Sequence, residues 1–407
     1  MRVGFFGNVN NYPFLLARAF KRLGHDVVFI VSSEMPLDRP ENQERALCGS
    51  YPDWIHDFSP RWKTMLPTPW RSRCIRLLQS CDAVVLNQIG PSLLPEIGRP
   101  AIAILTGSDL EYFANPETLW QLWREPSSFK GALILAVKAL KALLLPGIIQ
   151  RQREGIRQTT KVSFFPHGFY KRADELLEGL GVGLDKRIFL QLADVEFVQY
   201  CEPPNNAVFR AFCATRFTWE HPIPAGYSEL DYKGSDVMIR GLSLYYRETG
   251  QRLDIHLVRK GLHVPKTIDL VRKEGISDLV TWHDEMSLAG IREQFRLADV
   301  IFEQFGESMI GMAGLDAMAT GRPVIGNGHP ELMQQAMGVS MPICQARTPG
   351  EVSAQLKRLV PDAAERRRIG LASRAYIEKY CSTDSAARLC LEILARSIDR
   401  GRNAHAS

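Results

Sequence analysis

The chain has 407 residues, 45% hydrophobic and 23% charged, a globular balance that excludes a disordered chain and a disulfide-stapled miniprotein. At roughly 100–200 residues per domain, two or three domains are expected. Fifty Lys and Arg against 45 Asp and Glu leave a formal charge of +5, too mild an excess to mark a nucleic-acid binder.

The first 31 residues read as a β-α-β unit. Val3-Gly4-Phe5-Phe6 is a short apolar run suited to a buried parallel strand. No long apolar run or small-residue cleavage site follows Met1, so this start reads as a strand and not as a signal peptide. Gly7-Asn8-Val9-Asn10-Asn11 is a polar turn, either a plain one or one whose backbone N–H groups would face phosphates or an acceptor. A helix from Phe14 stops at Gly24, and 26–31 is the next strand. Residues 51–76 mix Trp54, Trp62 and Trp70 with Arg61, Lys63, Arg71, Arg73 and Arg76. This reads as a loop with buried aromatic anchors, or as one that stacks on sugar rings or touches anionic headgroups. Stacking beside bases also suits single-stranded nucleic acid, but the chain carries no DNA or RNA motif, so no nucleic-acid partner is expected.

Strands follow at 83–86 and 101–105. Thr106-Gly107-Ser108-Asp109 then opens a helix. Asp109 is either a cap of that helix or a group that orients a sugar or acceptor hydroxyl. Residues 131–149 are strongly apolar, but Lys138 and Lys141 interrupt them and Pro146 follows. A spanning helix needs about 20 nearly uncharged residues. Lys130, Lys138 and Lys141 share one helical face, away from Leu133, Val137, Leu140 and Leu144. Two readings stay open: a helix packed in a domain or subunit contact, and a helix lying in a membrane interface.

A second series begins after about 185. Strands at 208–213, 254–258, 279–282, 300–302 and 323–325 alternate with helices at 235–248, 267–274, 288–297 and 311–320. Such alternation implies a parallel sheet covered on both faces. The tail at 350–398 is mostly helical. The eight cysteines form no C-x-x-C pair and no zinc-spaced cluster with histidine. They are expected to be reduced thiols of a cytosolic enzyme without a metal site.

Ligands of such sheets bind outside the carboxyl ends of the strands. One of those loops lies in the most informative stretch, Phe302 to Pro330. A strand ends in Glu303, and a loop holds Gly306, Ser308 and Gly311. A helix then carries Leu315-Asp316-Ala317-Met318-Ala319, and Thr320-Gly321-Arg322-Pro323-Val324 follows. Glycines before a helix let N–H groups approach a phosphate, which the helix dipole favours. Asp316 lies near enough to reach a ribose hydroxyl. Taken on spacing alone, Gly311 is a turn and Asp316 a solvated helix residue. A second stretch sets Arg216 after the strand at 208–213 and Lys233-Gly234 before the helix at 235–248. There the plain alternatives are a surface ion pair and a capped turn.

The string L-D-A-M-A-T-G-R-P-V, with Glu303-Gln304-Phe305 upstream, resembles the signature of the GT-B retaining glycosyltransferases of family four, in a divergent branch. The resemblance covers 205–345 and, more weakly, the N-terminal half. It implies an α/β GT-B fold: two Rossmann-like, doubly wound parallel-sheet domains facing a central cleft. An acceptor domain would span 1–175, a nucleotide-sugar domain 176–380, and a last helix, 381–407, would return to the first. His167-Gly168 would mark the hinge. The implied reaction moves a sugar, hexosyl in type, from a nucleoside diphosphate sugar to a hydroxyl acceptor. It would retain configuration and need neither an obligatory metal nor a resident cofactor. The acceptor would be a cell-envelope glycan or lipid-linked. The enzyme would then be cytoplasmic or peripheral at the inner membrane face, touching it through 131–149.

By the same likeness Asp109, Arg216 and Lys233 are the catalytic candidates, the last two meeting the donor diphosphate. Gly7, Asn8, Glu303, Ser308, Gly311 and Asp316 complete the donor site. Asp316 stands for the family's second glutamate, with a shorter reach. Ser308 stands for its first and supplies no charge, so either Glu303 or Glu307 would take that role or the role is absent. Thr106 stands where a His is frequent. These departures motivate the rival reading, a non-catalytic nucleotide-sugar-binding homologue or partner subunit.

Overall fold

The computed structural model describes residues 1–119, 132–223, 229–307 and 309–406. The chain forms two compact units, Met1–Leu190 with Thr383–Ser407, and Gln191–Ser382. It leaves the first unit at 190 and re-enters it at 383.

The first unit holds seven parallel strands: β1 (Arg2–Phe6), β2 (Asp26–Val31), β3 (Ile55–Asp57), β4 (Ala83–Leu86), β5 (Ala101–Ile104), β6 (Lys161–Ser163) and β7 (Arg187–Ile188). Their order is β3-β2-β1-β4-β5-β6-β7. The central strands are apolar at successive positions because helices cover both faces. Val3, Phe5, Phe6 and Val84 are fully buried. Residues 51–76 are not the expected loop. They supply β3 and the helices Trp62–Met65 and Pro69–Gln79. The second helix packs on β1 so closely that a Cβ at Gly4 would lie 2.7 Å from Leu78.

The second unit holds six parallel strands: β8 (Arg210–Cys213), β9 (Asp254–Val258), β10 (Val280–His283), β11 (Val300–Phe302), β12 (Val324–Gly326) and β13 (Cys344–Gln345). Their order is β10-β9-β8-β11-β12-β13. In each sheet the order reverses once, between β1 and β4 and between β8 and β11, so both are doubly wound. The turn at His167-Gly168 lies inside the first unit, where Phe169 N–H bonds to the Pro166 carbonyl at 3.1 Å. That unit then continues through the helix Lys171–Gly179 and β7. The last helix, Thr383–Ala406, is tied to the helix Tyr12–Arg22 by Arg22, which reaches Asp384 at 2.6 Å and Thr383 at 2.9 Å.

A single helix, Ala132–Gln158, continues past Pro146. Its later half belongs to the first unit. Leu145, Ile148, Ile149, Gln152 and Ile156 are all buried, at helical spacing. Gln152 is wholly enclosed and donates to the carbonyls of Gln88 and Asp109, at 2.8 and 3.1 Å. Gly155 meets Pro91 so tightly that a Cβ would sit 1.7 Å from the Pro91 carbonyl oxygen. Residues 130 and 131, and the side chains of Leu133, Val137, Lys138, Leu140 and Lys141, lie outside the described residues. Among the described residues no helix is long and apolar enough to cross a membrane.

Candidate active site

The reversal between β8 and β11 puts two strand ends side by side in the second unit. The loops that leave them are bound to their neighbours by backbone hydrogen bonds. The Lys233 carbonyl accepts from Phe305 N–H at 2.7 Å and from Gly306 N–H at 3.1 Å, and Lys233 N–H donates to Thr218 at 2.6 Å. Asn327, just past β12, donates its N–H to the Gln304 carbonyl at 2.8 Å and its side-chain amide to the Gly306 carbonyl at 2.9 Å. Two glycines permit this approach. Gly234 has φ +61°, and a Cβ on Gly306 would lie 2.5 Å from the Tyr232 carbonyl. Loops 214–218, 232–234, 303–306 and 326–328 thus form one fixed cup.

Three of the expected charges meet in it. Glu303 is buried, with Oε2 accepting from Gln304 N–H at 2.7 Å and Thr215 Oγ1 3.5 Å from Oε1. The Gly311 N–H is also bound to its carboxylate, and a Cβ on Gly311 would lie 3.3 Å from Oε1. Burial pushes the Glu303 carboxyl up, against these donors and Lys233. Lys233 Nζ donates to the Leu230 carbonyl at 2.7 Å. Burial pushes that ammonium down; Glu303 opposes this and Arg216 adds to it. Arg216 is half exposed, with Asp231 3.7 Å away. The arrangement is a partly buried cation with a second, more exposed cation beside it.

Asp316 is also buried, but its partner is Arg292, whose Nε and Nη2 reach Oδ2 at 3.1 and 3.0 Å. Burial raises this carboxyl, Arg292 lowers it and Asp194 raises it further. Ser308 lies outside the described residues, as do residues 224–228 between Arg216 and Lys233.

In the first unit, three of the expected groups are engaged by the fold itself. Asn8 is fully buried and serves the fold. Its amide donates to Asn11 Oδ1 and to the Asp38 carbonyl, both at 2.8 Å, and its oxygen accepts from Phe14 N–H at 3.0 Å. The Gly7–Asn11 turn offers little to a phosphate. Its N–H groups at Gly7, Val9, Asn10 and Asn11 already bond to Ile30, Asn87, Asp38 and Asn8. Asp109 is fully buried too and gathers its own loop. Oδ1 accepts from the N–H groups of Thr106 and Gly107 at 2.9 Å and of Leu110 at 3.1 Å. Oδ2 takes the Thr106 hydroxyl at 3.2 Å. Asp109 therefore clasps its own loop.

Burial pushes Asp109 up to about 6, against those donors. A carboxyl raised on folding stabilises fully below its unfolded value, and that stability is lost as the pH rises through 6. Up to about 3 kcal/mol is at stake. Urea unfolding of wild type should thus gain stability from pH 7 toward pH 4 relative to Asp109→Asn. Parallel pH profiles for the two proteins would refute the assignment.

No protein-family model matches the chain. No curated protein matches it either. Solved structures do. A glycosyltransferase from Rickettsia africae aligns with a TM-score of 0.60 over 98% of each chain, at 13% identity. Sucrose-phosphate synthase from Thermosynechococcus elongatus aligns at 0.57 and 13% identity, over 98% of this chain and 100% of that one. WaaG, a glycosyltransferase involved in lipopolysaccharide biosynthesis, aligns at 0.54 and 15% identity, over 95% and 99%. The fold is GT-B. Identities this low speak for the fold alone.

Within this GT-B chain, sequence reasoning missed Arg292 and Asn327. Arg292 lies 24 residues before Asp316, a separation with no local pattern. Asn327 had a signal: it stands between two glycines just after a buried strand, where a turn side chain bonds to backbone. Arg322, inside the T-G-R-P string, is fully buried. It holds the carbonyls of Phe295, Cys201 and Glu202 at 2.8, 3.1 and 3.0 Å, so it anchors the entry to β8.

Proposed function

We propose that the chain is a glycosyltransferase that moves a hexosyl group from a nucleoside diphosphate sugar to a hydroxyl acceptor. The observation that carries this reading is the fixed cup at the β8–β11 reversal, with Lys233 partly buried in it and Arg216 at its side. As the glycosidic bond breaks, the departing diphosphate gains negative charge. Cations already in place stabilise that charge without reorganisation. Lys233 would meet it as a partly buried point charge, and Arg216 as a planar fork suited to phosphate oxygens. Glu303, tied to both loops, would hold Lys233 charged. Asp316, its Oδ2 fixed by Arg292, would take the ribose, and Gly311 would open the donor helix. These cations do the work a metal would otherwise do. Retention of configuration, a cell-envelope or lipid-linked acceptor and a place at the cytoplasmic membrane face follow from the family likeness of the L-D-A-M-A-T-G-R-P-V string.

The test is a thermal-shift panel of UDP, GDP, ADP, dTDP and CMP on wild type and Arg216→Ala. A nucleotide at 100 times its dissociation constant adds about 2.7 kcal/mol, or about 5–10 °C for a unit of this size. One diphosphate should raise the midpoint, and Arg216→Ala should shrink the rise. If none of the five moves it, the donor site fails. Binding without transfer to any acceptor would support the non-catalytic reading.

A further inference from the structure

Between Asp57 and Asp82 the chain has no carboxylate and five bases: Arg61, Lys63, Arg71, Arg73 and Arg76. This segment forms a helical hairpin, Trp62–Met65 and Pro69–Gln79, turning through Leu66-Pro67-Thr68. The turn is held from within. Thr68 Oγ1 accepts from Arg71 N–H at 3.1 Å, and its hydroxyl donates to the Lys63 carbonyl. One side of the hairpin buries Cys74, Ile75 and Leu78 against the first sheet. The other side shows Trp62 and Trp70, each 45% exposed and in edge-to-face contact at 5.9 Å. Pro67 and Pro69 are exposed beside them, as are Arg73 and Arg76. Arg71 is paired with Glu96. Among the described residues Arg61, Lys63, Arg73 and Arg76 have no ion-pair partner.

We infer that this hairpin docks the chain on an anionic bilayer surface. The charge is complementary: each base near such a surface adds attraction, and no carboxylate within the hairpin opposes it. The apolar tip is complementary as well, since indole and proline rims seat at headgroup depth. A glycan or a single-stranded nucleic acid would need a bare ring face to stack on. The Lys63 ammonium lies over the Trp70 ring, 5.6 Å from its centroid, and Trp62 packs against the same side chain. Lys63 therefore occupies a face of Trp70, which suits insertion of that ring better than stacking on it. This inference does not depend on the proposed reaction.

The test is co-sedimentation of the full chain with vesicles of phosphatidylcholine alone or mixed with phosphatidylglycerol. Wild type should pellet with the anionic vesicles only, and lose them between about 0.1 M and about 1 M salt as charges are screened. Arg73→Glu with Arg76→Glu should weaken binding at least about 25-fold. Trp62→Ser with Trp70→Ser should weaken it roughly tenfold. All four side chains are exposed, and unchanged thermal midpoints would confirm that the variants fold. The inference is overturned if neither vesicle pellets the protein, or if the tryptophan variant binds like wild type. It is equally overturned if a single-stranded oligonucleotide binds where vesicles do not.

Discussion

Replacing Lys233 by methionine should slow sugar transfer by about 100- to 1,000-fold while leaving the second unit folded. The two effects separate because Lys233 acts twice. Its N–H and carbonyl hold loops 214–218 and 303–306, and any side chain preserves those bonds. Its ammonium alone supplies charge to the cup. Methionine keeps a straight chain of similar volume and removes only that charge. Partial burial strengthens the effect, since a cation shielded from some of the water acts through a lower dielectric. Arg216 should matter less, because it is half exposed and already faces Asp231. The measurement is transfer rate at saturating donor, beside the thermal midpoint. Wild-type turnover in Lys233→Met would remove this residue from the chemistry.

The second large effect is on stability, within one helix. Gly155→Ala should destabilise the first unit by about 3 kcal/mol or more, the upper range for overpacking. The added carbon would fall 1.7 Å from the Pro91 oxygen and 2.4 Å from its carbonyl carbon, both backbone atoms. Neither can turn aside as a flexible side chain would. The midpoint should drop by about 6–12 °C. The same change at Gly147 should do the opposite. There the nearest atom is the end of Arg151, 3.7 Å away, and alanine is favoured in a helix by up to about 1 kcal/mol. Equal midpoints for the two variants would contradict the described packing.

In the first unit, β1, β2, β4 and β5 were legible because each holds an unbroken run of four or five residues without a polar side chain. β3, β6, β7 and β13, with two or three residues each, are too short to show a period. The hairpin at 62–79 was hidden by its bases, which a helix exposes on one side while burying Ile75 and Leu78 on the other. In the site, the glycines and the cations stood out by type. Their functions did not all follow. Asp109 carries a residue type that suits either a clasp or a catalyst, and only its burial decides between them. Asn8 is the same case. The Arg292–Asp316 pair joins two helices, and no local spacing announces it. Gln152 and Gly155 were readable in principle: a lone amide and a glycine three residues on, both on an apolar helical face, mark a close crossing.

The contact at Gly155 also sets where the helix Ala132–Gln158 stands along its own axis. A slide of one turn would bring Arg151 or Thr159 opposite the Pro91 carbonyl. A place with no room for a methyl group admits neither. The helix is keyed, like a shaft by a pin, so axial ratcheting is closed to it. Its first turn, about six turns away, inherits its height from a residue that carries no side chain.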